Sequence, residues 1–188
     1  MGFASMVVAQ TTEPVQPTIE TWPPTELAGI ATFGSPENGL FKKLWDKFPA
    51  NVEKQPGVST ECVFGVSLDV PSHETDRGFS YIAAGKVTNP SKVPSFLLRL
   101  PLPAGPYAVF PLRGGVPDGI REIGPMLDYA YNTWLPTSGY ESAAPLNIER
   151  YHVTADKTVI EIAIPLRKSL NPADHPRTEK GTSRASRP

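Results

Sequence analysis

Residues 40–49 read LFKKLWDKFP, and this stretch decides the class of fold that the chain can form. Its apolar residues recur at the spacing of one helical face, i, i+1, i+4, i+5 and i+8: Leu40, Phe41, Leu44, Trp45 and Phe48. Pro49 follows at once, and it lacks the backbone N–H that a further helical turn would need. The stretch therefore predicts a short amphipathic helix that packs against an apolar surface.

The segments on either side of this helix favour extended structure. Residues 19–35 are extended and rich in turn formers. After the helix, residues 61–70 alternate between apolar and polar side chains, so that one face carries Cys62, Phe64, Val66 and Leu68. Residues 79–87 supply a partner strand beyond the polar turn SHETDRG. The first half of the chain thus predicts an extended segment, a helix and two strands, in that order.

The second half of the chain repeats this order. Residues 96–112 are again extended, and strands are predicted at 147–153 and 158–166, joined by the turn TADK. Between the extended segment and these strands, a helical stripe is formed by Ile120, Ile123, Leu127, Ala130, Tyr131 and Trp134. Pro125 lies inside the stripe, so we expect either a kink or a helix whose regular part begins near Pro125. The second is favoured, because proline suits the first turn of a helix.

Two passes of one pattern predict an α+β fold. We expect two pseudo-symmetric β-α-β-β units, at about residues 17–93 and 94–167, in which an antiparallel sheet carries packed helices. Two such units side by side leave a groove at their junction, and ligand pockets favour such grooves. Residues 1–16 and 168–188 are predicted to be disordered tails, because they lack the regular apolar spacing of a packed segment. The sequence therefore predicts one domain with a central ligand cleft.

The composition narrows the classes of function. The 188 residues carry 18 basic and 19 acidic side chains, and a formal net charge of −1 gives no field that attracts nucleic acid or an anionic membrane. The single cysteine, Cys62, excludes an internal disulfide, and the three histidines do not have the spacing of metal ligands. No apolar stretch approaches the roughly 20 residues of a membrane-spanning helix. We therefore expect no metal, no cofactor, no direct nucleic-acid binding and no membrane partner, and a cytoplasmic location.

One acidic residue stands among aromatic and apolar residues in a predicted strand. Because side chains alternate along a strand, Asn147, Glu149, Tyr151 and Val153 share one face. If that face looks into the domain, burial raises the pKa of Glu149 and makes it a proton acceptor or a counter-ion for a cationic ligand. The alternative is a solvated glutamate on an edge strand, and the pattern alone favours that alternative.

Five segments occur in the order and spacing typical of GyrI-like effector-binding domains: FGVS (64–67), FSYIAAG (79–85), PAGPYAVF (103–110), WLPTSGY (134–140) and IERY (148–151). The chain resembles this family over about residues 17–167. The resemblance implies two β-α-β-β units around a pocket that contains Glu149, which favours the functional interpretation of that residue. It also implies that the pocket is lined by aromatic residues from the matching segments, here Tyr107, Trp134, Tyr81, Tyr151, Phe64 and Tyr140.

The same resemblance implies a class of function. Such domains form the drug-sensing half of some transcription activators, and they also occur alone as protective proteins. Some of the latter resemble hydrolases that open the strained cyclopropane rings of DNA-alkylating natural products. By this resemblance the chain binds a bulky aromatic or apolar toxic molecule, neutral or cationic, and protects the cell by Glu149-assisted hydrolysis, a role in detoxification or antibiotic resistance.

Two alternatives to hydrolysis stay open. The domain could sequester or sense a drug without turning it over, with Glu149 paired to a cationic ligand, or it could act as an interaction protein that inhibits a topoisomerase. About 16 residues precede the domain, which are too few for a helix-turn-helix module, so a DNA-binding regulator is not expected. The sequence also departs from its relatives at residues 22–24, where Trp-Pro-Pro replaces a plain strand.

Overall fold

A computed structural model of the chain describes residues 15–68, 78–113, 115–116, 118–153 and 157–169. The strands are β1 (Thr18–Trp22), β2 (Thr25–Gly34), β3 (Val58–Leu68), β4 (Phe79–Val87), β5 (Leu98–Leu102), β6 (Gly105–Pro111), β7 (Tyr140–Ser142), β8 (Leu146–Val153) and β9 (Thr158–Lys168). The helices are α1 (Leu40–Phe48) and α2 (Asp118–Tyr129), and each continues into a π-helical turn, at Pro49–Glu53 and Ala130–Trp134.

The strands form one curled antiparallel sheet in the order β1-β6-β9-β8-β3-β4-β2-β5, and β7 pairs with β9 off this path. β3 from the first half of the chain and β8 from the second half pair with each other at the centre. The two short strands are exchanged between halves: β1 precedes β2 but pairs with β6, whereas β5 precedes β6 but pairs with β2. The predicted α+β architecture of two β-α-β-β units is confirmed.

The two faces of the sheet build separate cores. The inner face carries a cluster in which Trp22 of β1 meets Leu27 and Leu102 from the opposite edge, so the sheet curls around this cluster. Phe64 and Val66 belong to it, with Cys62 and Leu68 packed against it, which confirms the predicted shared face of β3. The outer face carries the helices. Helix α1 packs on β2 and β4, and α2 packs on β9.

Helix α2 begins at Asp118, so the expectation that its regular part starts near Pro125 is wrong. Pro125 lies inside the helix and is exposed to solvent, as is Arg121 one turn earlier. The carbonyl of Arg121, which loses its partner N–H to the proline ring, can therefore be hydrated. That solvation makes the interior proline tolerable at this position.

Some sequence predictions concern parts of the chain outside the described residues. These are the tails at 1–14 and 170–188 and most of the two polar turns, at 72–77 and 154–156. Within the described residues, no helix has the length and apolar character needed to span a membrane.

Candidate ligand-binding site

A cavity of about 1260 Å³ opens between α1 and α2 on the outer face of the sheet. It forms there because each helix covers its own half of the sheet, and the central strands β3 and β8 lie between them. Most of its walls are aromatic and aliphatic side chains: Phe41 and Trp45 of α1, Phe79 and Tyr81 of β4, and Ile120, Ile123 and Leu127 of α2. A cavity of this size and character suits a drug-sized apolar molecule.

Glu149 of β8 lies on the floor of this cavity and is only 9% exposed. The hydroxyl of Tyr81 donates to its Oε2 at 2.5 Å, and the hydroxyl of Tyr151 donates to the same oxygen at 2.6 Å. Trp45 reaches in from α1, and its Nε1 donates to the Tyr81 oxygen at 3.1 Å. Among the described residues, Oε1 accepts no hydrogen bond, so it is the oxygen left for a bound molecule.

Burial sets the protonation chemistry of this group. It raises the pKa of Glu149, while the hydrogen bonds from Tyr151 and Tyr81 act in the opposite direction. Burial, together with the neighbouring carboxylate, also raises the pKa of both tyrosines, which therefore remain protonated donors. Within the described part of the chain, no lysine, arginine or histidine forms a salt bridge with Glu149. The carboxylate is held by neutral groups alone.

The charged residues at the edge of the cavity do not compensate Glu149. Lys42 of α1 pairs with Asp46 on its own helix, with Nζ 2.9 Å from Oδ2. Asp128 of α2 adds a second carboxylate to the lining. Two carboxylates and one paired ammonium give the lining a net negative formal charge.

The structure brings Glu149, Tyr81 and Tyr151 together at the cavity floor. It places Phe64 and Tyr107 elsewhere, on the inner face of the sheet. Phe64 is next to Gly65, whose position faces the cavity, so strand alternation turns the phenylalanine away. Tyr107 stacks on Trp22 with ring centroids 4.2 Å apart and donates its hydroxyl to the Pro103 carbonyl at 2.6 Å. Their expected place in the cleft is corrected accordingly.

Trp134 and Tyr140 also lie away from the cavity lining. Trp134 ends the π-helical turn after α2 and packs edge-on against Phe110, with ring centroids 5.5 Å apart. Tyr140 begins β7 and packs against the same cluster beneath α2. Both expected ligand contacts are thus core contacts of the second half of the domain.

Several cavity residues were not singled out from the sequence. Trp45 and Phe41 belong to the stripe of α1, and a helical stripe by itself indicates only packing. Asn147 could have been predicted from the sequence, because strand alternation places it on the same face as Glu149. Gly65 gives no chemical signal at all, since its contribution is the space that it leaves.

The sequence of this domain matches a known family and a known regulator. The family model of the GyrI-like small molecule binding domain matches residues 15–167. The transcriptional regulator BrlR of Pseudomonas aeruginosa is 28% identical over 130 residues, which make up 69% of this chain and 45% of BrlR. The chain therefore spans less than half the length of that relative.

Solved structures share the fold at low sequence identity. The structure of SAV2435 bound to tetraphenylphosphonium is 16% identical, with 81% of this chain and 94% of that chain covered and a TM-score of 0.61. The integron cassette protein VCH_CASS2 of Vibrio cholerae is 20% identical, with 81% and 96% covered and a TM-score of 0.57. The EcmrR C-terminal domain is 12% identical, with 82% and 99% covered and a TM-score of 0.57.

Proposed function

The chain belongs to the family of GyrI-like small-molecule binding domains, and we propose that it binds a lipophilic aromatic cation between α1 and α2, with Glu149 as the counter-charge. The observation that carries this proposal is the buried carboxylate of Glu149, on which two neutral hydroxyls converge. Binding of this kind would sequester or sense such a molecule.

A cationic ligand suits this carboxylate on electrostatic grounds. Burial disfavours the charged form of Glu149, and two hydroxyl donors offset only part of that cost. A cation that reached Oε1 would replace the lost solvation. At about 4 Å and an effective dielectric constant of about 20, the attraction is of order 4 kcal/mol. A neutral ligand would gain no such term.

The walls of the cavity favour an aromatic cation over a small hydrated one. Phe41 stacks on Tyr81 with ring centroids 4.4 Å apart, and Trp45 meets Tyr151 edge-on at 5.4 Å. These rings line the cavity near the carboxylate, and the faces of aromatic rings attract weakly hydrated cations. Opposite them, Ile120 is 47% exposed, an apolar side chain that a lipophilic ligand would cover. The SAV2435 complex with tetraphenylphosphonium supports this choice of ligand class.

The binding proposal is tested by isothermal titration of tetraphenylphosphonium into the protein and into Glu149→Gln. The substitution keeps the shape of the side chain and removes its charge, so we expect an affinity loss of about a hundredfold or more. Glu61→Gln is the matched control, because Glu61 is exposed on β3 and outside the cavity lining. It should bind like the parent protein. Equal affinities for parent and Glu149→Gln would refute the role of Glu149.

Hydrolysis of a strained electrophile is the second candidate, and the raised pKa of Glu149 favours it. In this reaction Glu149 takes a proton from water while the water oxygen attacks a carbon of a cyclopropane ring. The strained C–C bond breaks, its electron pair moves onto a conjugated carbonyl, and that group then takes up the proton. The cavity would supply proximity, and the carboxylate would supply the base.

Mass analysis separates the two candidates. The protein is incubated with a cyclopropane-bearing alkylator, and the product is examined for the addition of one water. Turnover by the parent protein that is lost in Glu149→Gln would establish Glu149-assisted hydrolysis. An unchanged compound that co-elutes with the protein would establish sequestration.

A further inference from the structure

The cavity floor carries a second polar pair next to Glu149. Ser67 of β3 and Asn147 of β8 lie directly opposite each other in the central ladder, two residues along from the Gly65 and Glu149 pair. Both line the cavity, and each is only 6% exposed. Because they sit on directly opposed positions, their Cβ atoms are roughly 5 Å apart.

The orientation of Asn147 is fixed from the π-helical turn that follows α2. The hydroxyl of Tyr131 donates to Oδ1 of Asn147 at 2.5 Å, and burial raises the pKa of Tyr131, which keeps that hydroxyl protonated. With Oδ1 engaged, the Nδ2 amide group of Asn147 is the part available to a ligand. Among the described residues, neither Nδ2 of Asn147 nor the hydroxyl of Ser67 makes a hydrogen bond.

Both side chains are largely buried and line the cavity, and polar groups that face a cavity without a protein partner suit a ligand group of matching chemistry. The amide of Asn147 offers N–H donors, and the hydroxyl of Ser67 offers one more. A carbonyl or ester oxygen accepts from both at once, since it has two lone pairs. Glu149 presents the opposite chemistry, because its carboxylate is an acceptor and an anion.

We propose that Ser67 and Asn147 form a second subsite, which binds a carbonyl or ester oxygen of the ligand. This inference rests on the proposed function, because it names the ligand class of that same cavity. Two residues along a strand span roughly 7 Å. The preferred ligand is therefore an aromatic cation that carries a carbonyl acceptor about that far from its charged centre.

A matched pair of probes tests the subsite. One is (4-methoxycarbonylbenzyl)triphenylphosphonium, and the other is (4-propylbenzyl)triphenylphosphonium, which has a similar length but no oxygen. Both carry the same cation, so the ratio of their dissociation constants cancels the contribution of Glu149. By isothermal titration we expect the parent protein to prefer the ester by about tenfold.

Three variants test whether Ser67 and Asn147 cause the preference for the ester. Ser67→Ala removes one donor and should reduce the ratio. Asn147→Asp keeps an acceptor for Tyr131 but replaces the amide donor with oxygen, so it should abolish or invert the preference. Ser80→Ala is the control, because Ser80 lies on the neighbouring strand β4 and outside the cavity lining, and its ratio should match the parent.

The outcomes separate this inference from the function on which it rests. If both probes bind in a Glu149-dependent way with equal affinity, the subsite is refuted and the proposed function stands. A preference that persists in both Ser67→Ala and Asn147→Asp also refutes the subsite. If neither probe binds, the proposed function fails and the subsite fails with it.

Discussion

Gly65 lies directly opposite Glu149 in the β3 and β8 ladder, and its missing side chain gives the Tyr81 hydroxyl room to reach the carboxylate. A Cβ atom at this position would fall 2.5 Å from Oε2 of Glu149 and would overlap the Tyr81 hydroxyl. The glycine is required by space and not by backbone conformation, since its φ is outside the left-handed region. The central hydrogen bond of the site thus depends on a residue without a functional group.

Replacing Gly65 with alanine should therefore damage the site directly. We expect Gly65→Ala to displace Tyr81, to lower the free energy of unfolding by about 1–3 kcal/mol and to weaken binding of tetraphenylphosphonium. Urea denaturation and isothermal titration measure the two effects. Gly124→Ala is the control, because Gly124 also lines the cavity but a Cβ there meets no atom within 4 Å. If the two alanine variants behave alike, steric dependence at Gly65 is refuted.

The apo protein should be stabilised by Glu149→Gln in a pH-dependent way. Burial raises the pKa of Glu149 in the folded state above the usual value of 4.5, so the folded state holds this proton more tightly than the unfolded state. As the pH rises above 4.5, the parent protein therefore loses free energy of unfolding. The Glu149→Gln variant does not, because glutamine does not titrate.

The measurement is the difference in unfolding free energy between Glu149→Gln and the parent, from below pH 4.5 to neutral pH. The advantage of the variant should grow with pH across this window. A difference that stays constant with pH would mean that the folded state does not perturb this carboxyl group.

The two tyrosines should support the charged form of Glu149. Tyr81→Phe or Tyr151→Phe removes one hydroxyl donor, which raises the pKa of Glu149 further and weakens the site as an anion. A hydrogen bond to a charged group contributes about 1.5–3 kcal/mol, so we expect a loss of about tenfold or more in tetraphenylphosphonium affinity. Tyr140→Phe, outside the cavity lining, should leave the titration curve unchanged. Unaltered affinity in both cavity variants would contradict this role.

Tyr107 should affect stability and not binding. Its hydroxyl donates to the Pro103 carbonyl on the inner face, so Tyr107→Phe should cost about 1 kcal/mol of unfolding free energy. The affinity for tetraphenylphosphonium should not change, because the cavity lies on the other face. If Tyr107→Phe lost affinity but kept the stability of the parent protein, Tyr107 would have to contact the ligand.

Much of the fold was predictable from local patterns. The stripe of α1 gave its bounds, Leu40–Phe48, and the alternation in β3 gave the correct shared face. The predicted start of α2 near Pro125 was wrong because helix propensity does not account for solvent, which can replace the hydrogen bond that an exposed proline removes. The exchange of β1 and β5 between halves is a tertiary arrangement, and no local pattern encodes it.

The site was predictable only where one strand determines it. Glu149 and Tyr151 share a face by alternation, and the family resemblance added Tyr81. The placement of Tyr107 and Phe64 in the cavity was wrong because both faces of this sheet are apolar. Strand alternation therefore does not tell which face meets the helices. The role of Gly65 depends on the register between β3 and β8, which requires the three-dimensional structure.

If Glu149 is the counter-charge of the ligand, the cavity selects positive charge, and one pair of ions tests this selection. Tetraphenylphosphonium and tetraphenylborate have the same shape and opposite charges, so apolar contacts contribute nearly equally to both. Isothermal titration under identical conditions should show at least about a hundredfold preference for the cation, and Glu149→Gln should remove most of it. Tetraphenylborate bound as tightly as tetraphenylphosphonium would show that the cavity does not select positive charge.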